Sequence, residues 1–229
     1  MKVFAYLAVC CLLAGATSSF ADTLQTGLEG HWPLDRLEGD NTPDISKHKR
    51  DAAAVSVDLV PGRDGSVMAF NGKQSMLFLP DESAFEVTGD YTVSFWVRVP
   101  VEGGSDGPIF AQPGFSISTF RGTLRVTFRN PEYPKTGYSD LMGPQINDDT
   151  WHHVVFTYSP DSEEGLLYID SQETLRRPFR HKPEVSAPTT IGGFGRFFFT
   201  GELSDLRIYS RVLEYAEVDQ LRNTKLPAK

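Results

Sequence analysis

Residues 90–99 alternate apolar and polar side chains without interruption, and no other pattern in the chain restricts the possible fold as much. One set of alternate positions is entirely apolar: Tyr91, Val93, Phe95, Val97 and Val99. The other set is Thr92, Ser94, Trp96 and Arg98. Because successive side chains of a β-strand point to opposite faces, this segment is predicted to be a strand with one face in a hydrophobic core. Such a strand requires neighbouring strands and a second layer that covers its apolar face.

Similar short apolar segments recur along the chain and are separated by turn residues. They lie at residues 27–34, 52–60, 66–70, 76–79, 115–120, 123–129, 151–158 and 166–170. Asn71-Gly72 and Arg121-Gly122 are predicted to be hairpin turns, and residues 130–149 are predicted to be a long loop. One helix is predicted, at residues 215–223. The sequence therefore predicts an all-β fold, a two-sheet antiparallel β-sandwich or jelly roll with one short C-terminal helix.

The first 21 residues have the pattern of a secretory signal peptide. Lys2 precedes an apolar run at residues 3–15, and the small residues Ser19 and Ala21 precede the predicted cleavage site. The apolar run is too short to span a bilayer. We therefore predict a cleaved signal peptide at residues 1–21, a single domain at residues 22–229 and a secreted or periplasmic protein. Both cysteines lie in the segment that is removed.

The charge of the chain argues against nucleic acids and anionic membranes as partners. The 22 lysines and arginines are outnumbered by 30 aspartates and glutamates, so the formal net charge is −8. Nucleic acids and anionic membrane surfaces need a basic stripe on the proteins that bind them. No nucleic-acid partner is therefore expected, and no membrane-spanning segment is predicted.

Four stretches of the chain follow one another in a recognisable order. They are Phe-Asn-Gly at residues 70–72, Tyr-Thr-Val-Ser-Phe-Trp-Val at 91–97, Trp-His-His-Val-Val at 151–155 with Leu-Tyr-Ile-Asp at 167–170, and Ile-Gly-Gly at 191–193 with the segment 201–213. In these stretches the chain resembles the LamG-like jelly-roll family (laminin G and pentraxin-like domains) of the concanavalin A-like lectin/glucanase superfamily. The resemblance spans residues 27–221 and implies the concanavalin A-like sandwich. Lectins, adhesion modules and glycosidases share this fold, so the resemblance leaves the activity open.

The resemblance also implies a possible metal site. Several members of the family hold a structural calcium ion between the aspartate of an early Asp-x-Ser loop and an acidic residue of the last strand. Asp44 begins the matching Asp-Ile-Ser, and Asp205 lies in the last predicted strand. Ser204 occupies a position where the family often has a further acid, so one carboxylate is missing from such a site. Asp44 and Asp205 are the expected calcium ligands, and a site without calcium is the alternative.

The best candidate binding cluster lies on the predicted strand at residues 123–129. Arg125 and Arg129 point away from the core, and Tyr133 and Tyr138 follow in the predicted loop. Arginine binds planar anions with two parallel hydrogen bonds, so the cluster suits a carboxylated or sulfated glycan. The alternative is a solvated strand face whose arginines form salt bridges with this acidic chain.

Other aromatic residues allow two interpretations each. Trp96 lies on the polar face of its strand. This face is either the concave outer surface, where the ring could stack against a sugar, or the face that packs on the underside of the other sheet. Phe194 and residues 197–199 follow the Gly192-Gly193 turn, and they either pack beneath a sheet or line a groove. Packing is expected for most of these phenylalanines.

No catalytic motif accompanies these candidates. The chain has no Glu-x-Asp-x-Glu or Glu-x-Asp-x-x-Glu motif of the superfamily's retaining glycosidases, and no Gly-x-Ser-x-Gly or His-Glu-x-x-His motif. His152 and His153 are adjacent, so on a strand they face opposite ways and cannot bind one ion together. The predicted function is a secreted non-catalytic module that binds a carbohydrate or extracellular polymer. The alternatives are a structural or protein-interaction domain of the cell envelope and, third, a polysaccharide-degrading enzyme with a non-standard acid pair.

Overall fold

The computed structural model describes residues 23–80, 85, 89–102, 106–129, 138–178 and 188–225. The predicted signal peptide and Tyr133 lie outside these residues. The strands of the described part are β1 (Leu28–Trp32), β2 (Asn41–Thr42), β3 (Ala52–Val55), β4 (Asp58–Gly62), β5 (Gly65–Asn71), β6 (Met76–Phe78), β7 (Tyr91–Arg98), β8 (Pro108–Gln112), β9 (Phe115–Phe120), β10 (Thr123–Arg129), β11 (Tyr138–Gln145), β12 (Trp151–Ser159), β13 (Glu164–Ile169), β14 (Gln172–Pro178), β15 (Thr190–Ile191), β16 (Gly193–Phe194), β17 (Phe197–Phe198) and β18 (Thr200–Tyr209). They are followed by one helix, α1 (Tyr215–Asn223).

The strands form two large antiparallel sheets and a small hairpin. Sheet 1 has the order β14-β13-β12-β7-β18-β5-β4, and β1 also pairs with β18. Sheet 2 has the order β11-β10-β9-β8-β15-β6-β3-β2, and β16 pairs only with β17. Two sheets and a short C-terminal helix are the predicted architecture, so the fold prediction is confirmed.

The hydrophobic core contains the inward-facing residues of both sheets. Strand β7 places Val93, Phe95 and Val97 in it, as the alternating pattern predicted. The largest side chains that are fully buried include Trp32, Phe110, Phe128 and Phe156, which come from strands of both sheets. Apolar side chains from two sheets therefore interdigitate in one continuous core.

The outer face of sheet 1 is covered as well. Helix α1 packs Val218 and Leu221 into a second apolar cluster that includes Val155 and Tyr209 from the sheet. The helix begins with a capping box, in which Glu217 and the residue before the helix bond to each other's backbone. Its bounds agree with the predicted helix. A strand such as β7 is therefore buried on both faces, although its sequence alternates.

Two predicted connections differ from the structure in the first third of the chain. Residues 52–60 were expected to form one strand, but they divide into β3 of sheet 2 and β4 of sheet 1. Ser56 lies at the break with a φ of 51°, in the left-handed region that ends a strand. The chain thus passes from one sheet to the other within a segment that is locally strand-like throughout.

Asn71-Gly72 is not the hairpin turn that its sequence predicts. Strand β5 before it belongs to sheet 1 and strand β6 after it belongs to sheet 2. The Asn71 side-chain oxygen accepts hydrogen bonds from the backbone N–H groups of Lys73, Gln74 and Ser75. The asparagine therefore stabilises a longer turn that carries the chain between the sheets.

The predicted loop at residues 130–149 contains an additional strand. Strand β11 pairs with β10 and forms the edge of sheet 2. Its sequence, Tyr-Ser-Asp-Leu-Met-Gly-Pro-Gln, contains Gly143 and Pro144, which are disfavoured inside strands, and an edge position tolerates them. Within the described part of the chain, no helix has the length and apolar character needed to cross a membrane.

Candidate functional site

A short hairpin projects from the segment that connects the two sheets near the end of the chain. Strand β15 lies in sheet 2 and β18 lies in sheet 1, so residues 192–199 cross from one sheet to the other. Within this crossing, β16 and β17 pair so that Phe194 lies directly opposite Phe197. The side chain of Phe194 is 42% exposed and that of Phe197 is 55% exposed. The hairpin therefore presents two adjacent aromatic rings to solvent.

Two glycines allow this hairpin to pack closely against the sandwich. Gly192 has a φ of +79°, and a Cβ there would lie 2.1 Å from Cδ1 of Phe70. A Cβ at Gly107 would lie 2.3 Å from the carbonyl carbon of Phe198. The backbone N–H of Gly192 also donates to the carbonyl oxygen of Ile109, at 2.9 Å. The hairpin is thus held at one position beside strand β8.

The outer face of sheet 2 next to the hairpin is lined by rows of small and polar side chains. Cross-strand pairing places Ala111, Ser116, Thr127 and Asp140 in one row across β8 to β11. The adjacent row contains Pro108, Ser118, Arg125 and Met142. Side chains at directly opposite positions of antiparallel strands lie on the same face, so both rows face outward together.

The hairpin and these rows enclose a groove with a volume of about 510 Å³. Phe120, Phe194 and Phe197 line it together with hydroxyl groups of Ser116 and Thr127. We call this site the phenylalanine groove. Its volume is typical of a small-molecule site, and its combination of apolar walls with a few polar groups is the usual composition of such sites.

Arg125 connects the polar and aromatic parts of the groove. Its guanidinium carbon lies 4.9 Å from the centre of the Phe120 ring, and its Nε donates to the Oγ of Ser118 at 3.3 Å. In the adjacent row, the hydroxyl of Thr127 donates to the carboxylate of Asp140 at 2.7 Å. Arg125 is thus held at the groove by a ring contact and one hydrogen bond to a neutral partner.

The predicted binding residues of strand β10 lie where the sequence places them. Arg125, Thr127 and Arg129 alternate with buried apolar residues and face outward. Arg129 is exposed and pairs across the strands with Tyr138, the first residue of β11. Of this predicted set, Arg125 lines the groove, whereas Arg129 lies farther along the same strand.

Trp96 is not part of this surface. It belongs to sheet 1, whereas Arg125 belongs to sheet 2, and its side chain is only 8% exposed. The guanidinium of Arg63 lies 3.7 Å from the centre of its ring, and the ring of His153 lies beside it at 5.1 Å. Trp96 thus lies on the outer face of sheet 1, where Arg63 and His153 cover it, and the structure does not bring it together with Arg125.

Asp44 stabilises its own loop. Its two carboxylate oxygens accept hydrogen bonds from the backbone N–H groups of His31, Ser46 and Arg50 and from the hydroxyl of Ser46, all at 2.8–2.9 Å. The side chain is 1% exposed. This arrangement explains the Asp-Ile-Ser sequence structurally, because the carboxylate fixes the loop that follows strand β1.

Asp205 lies at an irregularity in the last strand. Strand β18 pairs first with β5 and then with β1, and its register against β7 shifts between Ser204 and Arg207. Asp205 has a φ of 54° at this bulge. Its carboxylate lies 2.7 Å from the ring Nε2 of His31 and 2.9 Å from Nε of Arg207. Burial alone would raise the pKa of Asp205, but the charge of Arg207 and the hydrogen bond to His31 hold it well below its usual range.

His31 connects the two aspartates that were predicted to bind calcium. Its backbone N–H donates to Asp44, and its ring contacts Asp205. In the described residues, no group of three or more histidine, cysteine, aspartate or glutamate side chains is arranged to hold a metal ion. The calcium site stays a prediction, and its two proposed ligands already accept hydrogen bonds from the protein.

Sequence reasoning gave the groove only as one of two interpretations of Phe194 and residues 197–199. Phe120 was counted only as the end of a strand, and packing was expected for most of the phenylalanines after Gly193. Phe199 fulfils that expectation, since it is fully buried against Phe70. For Phe194 and Phe197 the structure shows the groove interpretation, which the sequence based on the glycines at 192 and 193, because such a turn allows a hairpin to leave the sheet.

The family model Laminin_G_3, described as concanavalin A-like lectin/glucanases superfamily, matches residues 71–219 of the 229-residue chain. Among curated proteins, Paraclostridial mosquitocidal protein 1 of Paraclostridium bifermentans is 23% identical over 215 residues, which cover 82% of this chain and 17% of that protein. The chain thus corresponds to less than one fifth of that relative.

Solved structures of toxin binding domains are similar in fold. The binding domain of Paraclostridial mosquitocidal protein 1 superposes with a TM-score of 0.69 at 21% identity, over 87% of this chain and 52% of that one. The ligand binding domain of botulinum neurotoxin serotype D, in complex with N-acetylneuraminic acid, has a TM-score of 0.70 at 11% identity, over 90% and 52%. This chain spans about half of each solved domain.

Proposed function

Because the chain belongs to the Laminin_G_3 family of the concanavalin A-like lectin/glucanases superfamily, we propose that it is a non-catalytic module that binds a carbohydrate or extracellular polymer in the phenylalanine groove. This membership agrees with the resemblance to LamG-like jelly rolls that the sequence indicated. Since the fold hosts both binding modules and enzymes, the proposal depends on the groove itself.

The observation that carries the proposal is the arrangement of exposed rings beside a hydroxyl-lined floor. Phe120, Phe194 and Phe197 are each more than one third exposed, at 37%, 42% and 55%. Ser116 and Thr127 lie next to them on the sheet. The face of a pyranose ring carries C–H groups that stack on aromatic rings, and its hydroxyls exchange hydrogen bonds with serine and threonine. A groove with both features suits a sugar better than a purely apolar ligand.

Several fold neighbours support a ligand of this class. One solved structure concerns the interaction of botulinum neurotoxin type C with two ganglioside molecules, at a TM-score of 0.69 and 14% identity, over 89% of this chain and 52% of that one. The serotype D domain described above holds N-acetylneuraminic acid. Sugar-bearing ligands are therefore compatible with this architecture, although the residues that contact them belong to those proteins.

A panel of immobilised neutral and acidic polysaccharides would test the proposal. We expect the protein to be retained by at least one of them, and the double substitution Phe194→Ala and Phe197→Ala to weaken retention by about tenfold or more, since each ring loses its stacking surface. Tyr215→Ala is the matched control, because Tyr215 is an equally exposed aromatic residue, at 56%, on the opposite side of the sandwich. The proposal would be contradicted if the double variant were retained as strongly as the wild-type protein. It would also be contradicted if no polysaccharide retained the wild-type protein.

An envelope-protein partner is the second candidate, because exposed phenylalanine rings also occur at protein interfaces. Light scattering and capture experiments on envelope fractions distinguish the two functions. A partner that binds the wild-type protein but not the Phe194→Ala and Phe197→Ala variant, without any polysaccharide retention, would favour the second candidate.

Secretion is proposed together with this function, since an extracellular ligand requires an exported protein. The predicted cleavage after Ala21 makes Asp22 the first residue of the mature chain. N-terminal sequencing of protein recovered outside the cytoplasm would test this directly. An intact N-terminus in the cytoplasmic fraction would contradict it.

A further inference from the structure

Three arginines contact aromatic rings that line the phenylalanine groove, and none of them forms an ion pair with another described residue. The guanidinium carbon of Arg121 lies 5.4 Å from the centre of the Phe120 ring, and that of Arg125 lies 4.9 Å from it. Arg196, in the turn of the projecting hairpin, lies 5.2 Å from the centre of the Phe197 ring. Within the part of the chain that the structure describes, no carboxylate lies within ion-pair distance of these guanidinium groups.

This arrangement is unusual for a chain with eight more acidic than basic residues. Several arginines elsewhere on the surface are paired: Arg98 with Asp149 and Glu202, and Arg176 with Glu164 and Glu173. Among the described residues that line the groove, Asp106 carries the one carboxylate, and it accepts the backbone N–H of Arg121 rather than a guanidinium. The carboxylate of Asp140, opposite Thr127 in the neighbouring strand, accepts the hydroxyl of Thr127. Three guanidinium groups and two carboxylates therefore lie at the groove, so the arginines give it a small excess of positive charge on a negatively charged protein.

Stacking on a ring leaves the edge of a guanidinium available. An arginine above an aromatic face still presents its N–H groups in the plane of the guanidinium, where a carboxylate or sulfate accepts two of them. Arg125 uses its Nε for Ser118, so its terminal nitrogens remain for a ligand. An anionic group bound there would lie next to the ring of Phe120, within reach of a sugar stacked on that ring.

We propose that the ligand of the phenylalanine groove is an anionic polysaccharide, whose carboxylate or sulfate groups bind Arg121, Arg125 and Arg196 while its sugar rings stack on Phe120 and Phe197. This inference rests on the proposed carbohydrate function and specifies the class of its ligand. The sequence predicted Arg125 and Arg129 as the anion-binding arginines. The proposed set is Arg121, Arg125 and Arg196, of which Arg196 lies in the projecting hairpin.

Dextran, carboxymethyl dextran and dextran sulfate have the same sugar backbone and differ in charge. Comparing them tests whether the protein recognises the anionic group rather than the sugar alone. In affinity electrophoresis, we expect at least one charged dextran to retard the wild-type protein about tenfold more strongly than neutral dextran. Carboxymethyl dextran and dextran sulfate distinguish the carboxylate from the sulfate as the recognised group. Increasing the salt concentration should weaken this retardation, because salt screens exposed charges.

Matched substitutions test the site. Arg125→Gln is expected to weaken retardation by charged dextran about tenfold, and the triple substitution of Arg121, Arg125 and Arg196 by glutamine is expected to abolish it. Arg125→Lys keeps the charge but not the planar fork, so an intermediate loss is expected. Arg177→Gln is the control, since it removes one exposed positive charge from strand β14 on the other sheet. Thermal melting of each variant confirms that it is folded.

Three results would overturn the proposal. Equal retardation by neutral and charged dextran would exclude recognition of anions, and an Arg177→Gln loss as large as that of Arg125→Gln would indicate non-specific attraction. Failure of every charged dextran to bind would also contradict it. The proposed function is tested separately, because a neutral polysaccharide that depends on Phe194 and Phe197 but not on the arginines would leave that function standing while excluding an anionic ligand.

Discussion

His152 and His153 are neighbours in strand β12 and have opposite electrostatic environments. The ring of His152 is partly exposed and contacts two carboxylates, with Nδ1 at 2.8 Å from Asp170 and Nε2 at 3.1 Å from Asp148. The ring of His153 is buried on the other face of the strand beside Trp96, and its Nε2 lies 2.9 Å from the Oγ of Ser94. Adjacent residues on a strand face opposite ways, so one dipeptide produces two different histidines.

Stability should depend on pH through these two residues with opposite signs. Burial lowers the pKa of His153 from 6.5 to about 3, so between these values the unfolded chain takes up a proton that the folded protein does not, and acidification destabilises the fold. Burial alone would lower the pKa of His152, but hydrogen bonds to Asp170 and Asp148 outweigh it and raise that pKa. The contribution of His152 is therefore complete below pH 6.5 and is lost as the pH rises through its folded pKa.

Urea denaturation between pH 7 and pH 5 would measure both effects. His153→Gln is expected to reduce the loss of unfolding free energy over this interval by on the order of 2 kcal/mol. His152→Gln is expected to make the loss larger, because it removes a group that stabilises the protein at low pH. Two variants that change the slope in the same direction would contradict the assignment.

The ion pair of Asp205 and Arg207 should be important for stability, because both side chains are almost fully buried. Asp205→Asn removes the charge but not the shape, and it leaves a buried guanidinium without its counter-charge. We expect this substitution to destabilise the protein by about 3 kcal/mol. The double variant Asp205→Asn, Arg207→Gln removes both charges and should be less destabilised than the sum of the single variants. Equal values for the double variant and that sum would show that the two charges are not coupled.

The sequence predicts the layers of this fold better than the connections between them. Alternation in residues 91–99 identifies an inward face, because successive side chains of a strand point to opposite faces and the apolar set belongs to the buried face. The same local signal cannot tell which sheet a strand joins. Residues 52–60 are strand-like throughout, although Ser56 separates them into strands of two different sheets. Asn71-Gly72 has the sequence of a hairpin turn, but the strands before and after it pair in different sheets.

Of the candidate site, the sequence predicts only the residues that lie on sheet 2 and not those of the projecting hairpin. Arg125 faces outward because its neighbours Leu124 and Val126 are apolar, and the pattern shows this without coordinates. Phe197 and Arg125 line the same groove because of the way residues 190–200 cross between the sheets, and no local pattern encodes that crossing. For Trp96 the local pattern correctly predicts the polar face of its strand. It does not predict that Arg63, from the turn between β4 and β5, covers the ring.

The calcium prediction can be tested by thermal melting. Asp44 accepts four hydrogen bonds from the protein, and the carboxylate of Asp205 contacts His31 and Arg207. Calcium requires six to eight oxygen ligands, and these donors would compete for the same lone pairs. We therefore expect the same melting temperature in calcium chloride and in EDTA. A higher melting temperature in calcium that is absent from an Asp44→Asn variant would support the sequence-based site instead.

Gly192 should control both stability and the position of the aromatic hairpin. Gly192→Ala places a Cβ at 2.1 Å from Phe70 at a φ of +79°, so the hairpin has to shift. We expect a loss of about 2 kcal/mol in unfolding free energy, measured by urea denaturation, and weaker binding in the phenylalanine groove. Gly195→Ala is the matched control, because Gly195 has a similar φ of +61° but no atom within 4 Å of the added Cβ. If both variants lose stability and binding equally, backbone strain alone explains the effect, and close packing against Phe70 does not position the hairpin.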